Sequence, residues 1–507
     1  MKFFNKTLLY SVTVLSLCTA CELDDYTGGG NNTPLTFTKI GGFTNGTEDE
    51  GFAEISAFDP STGKLFIVNP NESELSVWDI SNPGSPIQGS DIVLTGIPNS
   101  VSVHNGLVAV ALENASNKQA NGTIAIYHSD SQALLNIYPA GALPDMVTFS
   151  PNGKYIVAAN EGEPNDEYTN DPEGSITIIE VATGQISTLG FSAFNGQTIG
   201  NGFRVFGPNA SLAQDVEPEY VAISNDSKTA YVTLQENNGI AIVDLQTKAI
   251  TAIVGLGVKD YSLPENQIDA SDKDDIVGNF KNWPVFGFYH PDAITYAKIS
   301  GGRYLITANE GDARDYDGYS EEERVKDLIL DPTVFPNAAT LQSDENLGRL
   351  KTTTANGDID NDGDFDEIYA YGARSFTIWS TSGALIYDSG DQIGKTIFDL
   401  DPSAFNSNEG SKTDGRSDDK GAEPEAVATL KIKNKTLLFV GLERTGGVLV
   451  YDISHPSHPK FIEWLRDAED ISPEGLITVK KKHSPTGHDL VIITNEVSNT
   501  VAIYEVK

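Results

Sequence analysis

An acidic residue, a strand, a tight turn, a second strand ending in acid, and a third strand ending in an aromatic and Asp or Glu form a unit that recurs seven times. Residues 144–181 show it as PDMVTFSPNGKYIVAANEGEP followed by GSITIIEV, and it returns over 218–245, 424–453 and 473–506. Weaker copies begin near Glu54 and Pro98, and an interrupted one at His290. Short antiparallel strands repeated at about 40 residues are the pattern of a β-propeller, whose units bury their faces only against one another. A pair of β-sandwiches uses similar strands but does not account for seven like units. The expected fold is all-β: a seven-bladed β-propeller over residues 36–507. Seven copies need roughly 300 residues at that period. The surplus falls in insertions near 190–217, 255–289, 312–366 and 391–422.

Chain direction then sorts the residues by face. In an antiparallel hairpin the start of one strand and the end of the next lie together. The openers Glu54, Asp145, Glu219, Asp292, Glu425 and Glu474 therefore share a face with the closers Glu113, Glu161, Glu236, Glu310, Glu443 and Glu496. The long insertions emerge on that same face, whereas the turns PNGK, NDSK and KNKT stay short. A single such carboxylate has an ordinary reading as a turn cap. A ring of them repels itself unless cations or arginines compensate.

The chain carries 34 Lys and Arg against 72 Asp and Glu, a formal charge of −38. That balance excludes a nucleic-acid partner, whose phosphates require basic surfaces. It fits a secreted protein kept soluble by self-repulsion, or one whose carboxylates hold cations. The N-terminus agrees with secretion. Lys2 and Lys6 precede the apolar run 7–17, too short to span a bilayer, and small residues follow. Residues 1–20 thus form the expected signal peptide, with Cys21 as the lipidation site and 21–35 as a flexible tether. A disulfide between Cys18 and Cys21 is a poor rival, because Cys18 leaves with the signal. No cysteine follows Cys21, so the mature body has no disulfides. The expected product is a monomeric outer-membrane lipoprotein, periplasmic or exposed at the cell surface.

The most specific motif lies in the third insertion. Asp358, Asp360, Asp362 and Asp364 occupy positions 1, 3, 5 and 7 of a loop with Gly363 at 6 and Asp366 at 9. Alternate carboxylates folded around a hard cation, with glycine at the sharp turn, are the pattern of a calcium loop. Position 12 is Tyr369 rather than Glu, and Glu367 stands at position 10, so coordination must close differently. Calcium is the expected cofactor, with Asp358, Asp360, Asp362, Asp364, Asp366 and Glu367 as candidate ligands. A disordered acidic loop is the alternative.

Secondary candidates on the acidic face are Glu161, Glu310, Asp312, Glu423, Glu425, Glu443, Glu474 and Glu496, interspersed with Arg314, Arg374, Arg416 and Arg444. Carboxylates with arginines can hold metals that hold a phosphate, or can form structural salt bridges. His455 and His458 occupy the places of Asn82 and Ser85 in an equivalent turn, which speaks against a ligand pair. No nucleophile elbow, HExxH, P-loop or dinucleotide fingerprint is found.

At NEGE, NEGDARDY, DIDNDGDFDEIYAYGARSFTIW and RSDDKGAEPE the chain resembles the choice-of-anchor I family. That family is related to mesenchyme-specific cell-surface glycoproteins of animal biomineralisation, and many bacterial members carry an alkaline-phosphatase label. The resemblance implies an extracellular propeller linked to calcium and held by an anchor, which suits Cys21. Two functions follow. One is a surface-anchored calcium-binding module for binding or adhesion to an extracellular ligand. The other is a calcium-dependent phosphoesterase, alkaline phosphatase- or phytase-like, acting on a phosphorylated substrate with Arg374, Arg314 and His290 as catalytic candidates.

Overall fold

The strand-forming runs pair as the repeat requires. In the third unit Pro144–Phe149, Tyr155–Asn160, Ser175–Glu180 and Gln185–Gly190 pair antiparallel in chain order. The computed structural model describes residues 34–46 and 51–507, so the expected signal peptide, Cys21 and nearly all of the tether lie outside the described residues. Seven sheets of this kind succeed one another, starting at Ser56, Ile97, Pro144, Pro218, Pro291, Pro424 and Pro473. The first strand of each touches the first strands of both neighbours, and Pro473–Val479 touches Ser56–Asp59. The first strands thereby close a ring about an axis, and the body Thr36–Lys507 is a β-propeller.

Packing between blades explains the apolar runs. Val157, Ala159, Ile176 and Ile178 of the third blade bury against Val221, Val232, Ala241 and Val243 of the fourth. Ala293, Ile306 and Phe376 of the fifth meet Val427, Leu438 and Leu449 of the sixth. Because a blade has a neighbour on each side, its second strand is buried along both faces, as Tyr155–Asn160 is throughout. Each such side chain contributes roughly 1.5–3 kcal/mol by leaving water.

The last blade takes its outer strand from the other end of the chain. Phe37–Thr44 pairs antiparallel with Thr500–Val506, and Thr36 and Lys507 exchange backbone hydrogen bonds of 3.0 and 3.1 Å. Lys39 ties this strand to the sixth-to-seventh blade link through Asp467 at 2.7 Å and Asp470 at 2.8 Å.

The insertions fold rather than trail. Val258–Asp260, Phe286–Phe288, Tyr369–Ala370, Lys351–Thr353 and Glu322–Arg324 form one five-stranded sheet, drawing on the second and third insertions together. Its core includes Tyr261, Trp283, Val325, Leu347 and Ile368. Among the described residues no helix is long and apolar enough to cross a membrane.

The closing strand gives a pH-dependent test. Hydrogen bonding from Lys39 holds the Asp467 carboxyl below its usual range. A depressed carboxylate contributes stability above the unfolded-state value near pH 4 and loses it as pH falls through the lower folded value. Lys39→Ala is expected to cost about 0.5–1 kcal/mol between about pH 5 and 8. Scanning calorimetry should show the deficit vanish by about pH 2–3.

Candidate functional site

Five of the six opening acids, all but Glu54, lie at a defect in their sheet. In six blades the register between first and second strands breaks just after the entry residue, and Asn99, Asp145, Glu219, Asp292, Glu425 and Glu474 fall in the break. A bulge of this kind turns a side chain off the pleat and is common beside functional sites. Immediately before the opening prolines, Leu143, His290, Glu423 and Ser472 adopt φ of 45°, 41°, 52° and 60°. For residues other than glycine this left-handed backbone costs roughly 1–3 kcal/mol each. It accompanies a recurring link: the amides of Glu161, Glu443 and Glu496 donate to the carbonyls of Leu143, Glu423 and Ser472 at 2.8, 2.9 and 2.8 Å. Opener and closer therefore meet at one end of the blade, as chain direction requires.

At that end the axial channel widens into a cavity of about 210 Å3 to which every blade contributes. Asp145, Asp292, Glu425, Glu474 and Glu310 line it, together with Tyr220. Tyr220 also lines a cavity of about 500 Å3 toward the other end, whose walls include Val101, Val147, Leu476 and Ile477. Ile55, Ser100 and Met146 line both cavities as well, so a belt of side chains separates them.

Burial governs the protonation of this ring. It pushes Asp145 up to about 7 and Glu54 up to about 8, helped by neighbouring carboxylates. Burial also holds Glu161, Glu219, Asp292, Glu425 and Glu474 well above the ordinary carboxylate range, again reinforced by their acidic neighbours. Glu443 rises to about 8 through burial and then Glu310, and Glu496 is raised as well, chiefly by burial.

Part of the face is neutralised. Glu310, Glu423 and Glu443 bring oxygens within 4.8 Å of one another. Lys420 reaches Glu310 at 2.7 Å, Arg416 reaches Glu423 at 2.6 Å, and Arg444 reaches Glu443 at 2.9 Å. Asp312, half exposed, lies at the rim 3.6 Å from Lys420. Lys420 was not among the residues singled out from the sequence; its place in RSDDKGAEPE, interleaved with the acids, was the available signal.

The three catalytic candidates are held by other partners. Arg374 donates to the carbonyls of Asp269, Ser417 and Asp419 at 2.8, 2.9 and 2.6 Å. Arg314 is buried against Asp215 at 2.6 Å and Glu217 at 2.8 Å. His290 is fully buried, stacked on Phe288 and 3.1 Å from Arg204, and burial drives its imidazole well below the usual range. None of the three faces the axial cavity.

The aspartate loop divides into two groups. Asp358, Asp360 and Asp362 converge within 4.8 Å, while Asp364 and Asp366 turn to Asp331 from earlier in the same insertion. Gly363 takes φ +99° at the turn, and its amide and that of Asp362 donate to Asp358 at 3.1 Å each. Glu367 accepts from the Tyr369 hydroxyl and belongs to neither group. Asp331 was missed because it sits in LDPTVF, outside the alternating pattern. The charges acting on Asp360 and Asp364 are those of the loop and Asp331, so loop and ring are separate acidic sites.

A family model described as the choice-of-anchor I domain matches residues 54–456. The chain belongs to the choice-of-anchor I family. It is similar to Gigasin-3a of Magallana gigas, 28% identical over 192 residues, covering 33% of this chain and 67% of that protein. It is also similar to the mesenchyme-specific cell surface glycoprotein of Strongylocentrotus purpuratus, 27% identical over 288 residues. That match covers 50% of this chain and 35% of the relative. Among solved structures, Kuenenia stuttgartiensis hydrazine synthase has TM-score 0.49 and 13% identity, covering 91% of this chain and 97% of that chain. The WD40 domain of Toxoplasma gondii coronin has TM-score 0.49 and 8% identity, covering 93% and 86%.

The arginine assignments are testable by stability. Removing one partner of a buried ion pair costs roughly 3–5 kcal/mol. Arg314→Met is expected to lose that much in urea unfolding, and Arg374→Ala roughly 2–4 kcal/mol from its abandoned carbonyls.

Proposed function

We propose that this family member is a surface-anchored, calcium-binding propeller that acts as an extracellular binding module, with the acidic face as its contact surface. The observation that carries the reading is the convergence of Asp358, Asp360 and Asp362 about the Gly363 turn. Their oxygens-only donor set and alternating spacing suit a hard cation. Asp331, Asp364 and Asp366 offer a second oxygen cluster on the same insertion. The printed name of the sea-urchin relative, a cell surface glycoprotein, supports an extracellular setting.

Calcium is expected to raise Tm by several degrees, since a ligand at 100 times its Kd adds about 2.7 kcal/mol. Asp360→Ala combined with Asp362→Ala should remove much of that gain in a thermal-shift titration. An undiminished calcium response in the double variant counts against the loop. For the anchor, Cys21→Ala is expected to move the protein from the membrane fraction to the soluble fraction. Retention in the membrane fraction would reject lipidation at Cys21.

A further inference from the structure

The end of the channel that carries the short turns reverses the charge balance of the chain. Lysines outnumber aspartates in the links between first and second strands, although the whole chain has 34 basic and 72 acidic residues. The last of these links opens with Lys480, Lys481, Lys482 and His483, all exposed. Elsewhere such lysines are paired, as Lys154 with Glu180 and Lys435 with Asp452, whereas Lys480 and Lys482 have no ion pair among the described residues. Lys480, Lys482 and His483 line the mouth of the 500 Å3 cavity, and no Asp or Glu lines it. Asp59 shares the rim with Lys482 and His483, but Ser61 and Thr62 already donate to its carboxylate.

The wall behind that mouth is graded. Leu476, Thr478 and Lys480 line it at alternate positions of one chain segment, running from the acidic end to the mouth. Alternate residues of a strand share one face. Met146 and Thr148 repeat the order on the third blade, apolar first and hydroxyl second. We propose that this half of the channel binds a single-chain anionic amphiphile, a medium-chain carboxylate. Its chain lies against Met146, Leu476 and Tyr220 and its head stands among Lys480, Lys482 and His483. A mostly apolar cavity of this size with a few convergent polar groups is the ordinary form of a small-molecule site. Charge fixes the direction of the ligand, because Asp145, Asp292, Glu425 and Glu474 line the far cavity and repel a carboxylate placed there. The site is independent of the aspartate loop. The competing state is a channel filled only with water.

The experiment uses full-length protein carrying Cys21→Ala, in calcium-free buffer without detergent, titrated calorimetrically with octanoate, decanoate and decyltrimethylammonium. Decanoate is expected to bind once, about fifteenfold more tightly than octanoate, since each buried CH2 is worth a factor of roughly four. The cationic analogue should bind far more weakly, and added salt should weaken decanoate. Lys480→Glu with Lys482→Glu, both exposed, should cost about tenfold in affinity. Thr148→Phe, which fills the cavity and removes no side-chain hydrogen bond, should abolish binding. If that variant does not fold, the lysine pair carries the test. No decanoate binding, equal binding of the cationic analogue, or binding unchanged by these substitutions overturns the site. Capture by phosphatidylglycerol vesicles without decanoate binding overturns it too, and makes the basic rim a membrane contact.

Discussion

Repulsion between like charges gathered at one end of a closed ring sets the terms for the rest of the molecule. Two unit charges 4 Å apart oppose each other by about 4 kcal/mol at an effective dielectric of 20. Ring closure leaves the first strands no room to spread, and their bulges turn the carboxylates inward rather than along the pleat. The insertions answer this. Arg204 comes from the first, Arg314 from the third, and Arg416 and Lys420 from the fourth, each landing against carboxylates of the face or of another insertion. Individual cations of the long excursions, not their overall charge, meet these carboxylates.

The same reasoning explains what holds the arginines that looked catalytic. A guanidinium presents five donors, and a loop laid across another loop exposes carbonyls that need them. Arg374 gathers three carbonyls from the second and fourth insertions, and Arg314 closes a buried triad with Asp215 and Glu217. Both hold the cover of the face in place. The aspartate loop, by contrast, leaves Asp360 and Asp362 exposed, and the charges acting on Asp360 and Asp364 come from the loop itself and Asp331.

Much of the architecture was legible because the unit is repeated. Proline followed by an acid marks the entry of most blades, and the short turns after first strands locate the trimmed end. The pairing of openers with closers needed only antiparallel direction, and the Glu161–Leu143 and Glu443–Glu423 amide links show it. Other features carry no local signature. The parallel pairing of Phe286–Phe288 with Tyr369–Ala370 joins two insertions far apart in the chain. Charge counts and spacing do not distinguish Glu310, neutralised by Lys420, from Glu425, which has no cation. That difference arises from which insertion lies overhead.

The outer strand of the last blade has a consequence for orientation. Its Thr44 end lies beside Thr500, close to the closer Glu496, and its Phe37 end lies beside Val506. Thr36 therefore stands at the smooth pole of the propeller, opposite the pole that carries the carboxylates.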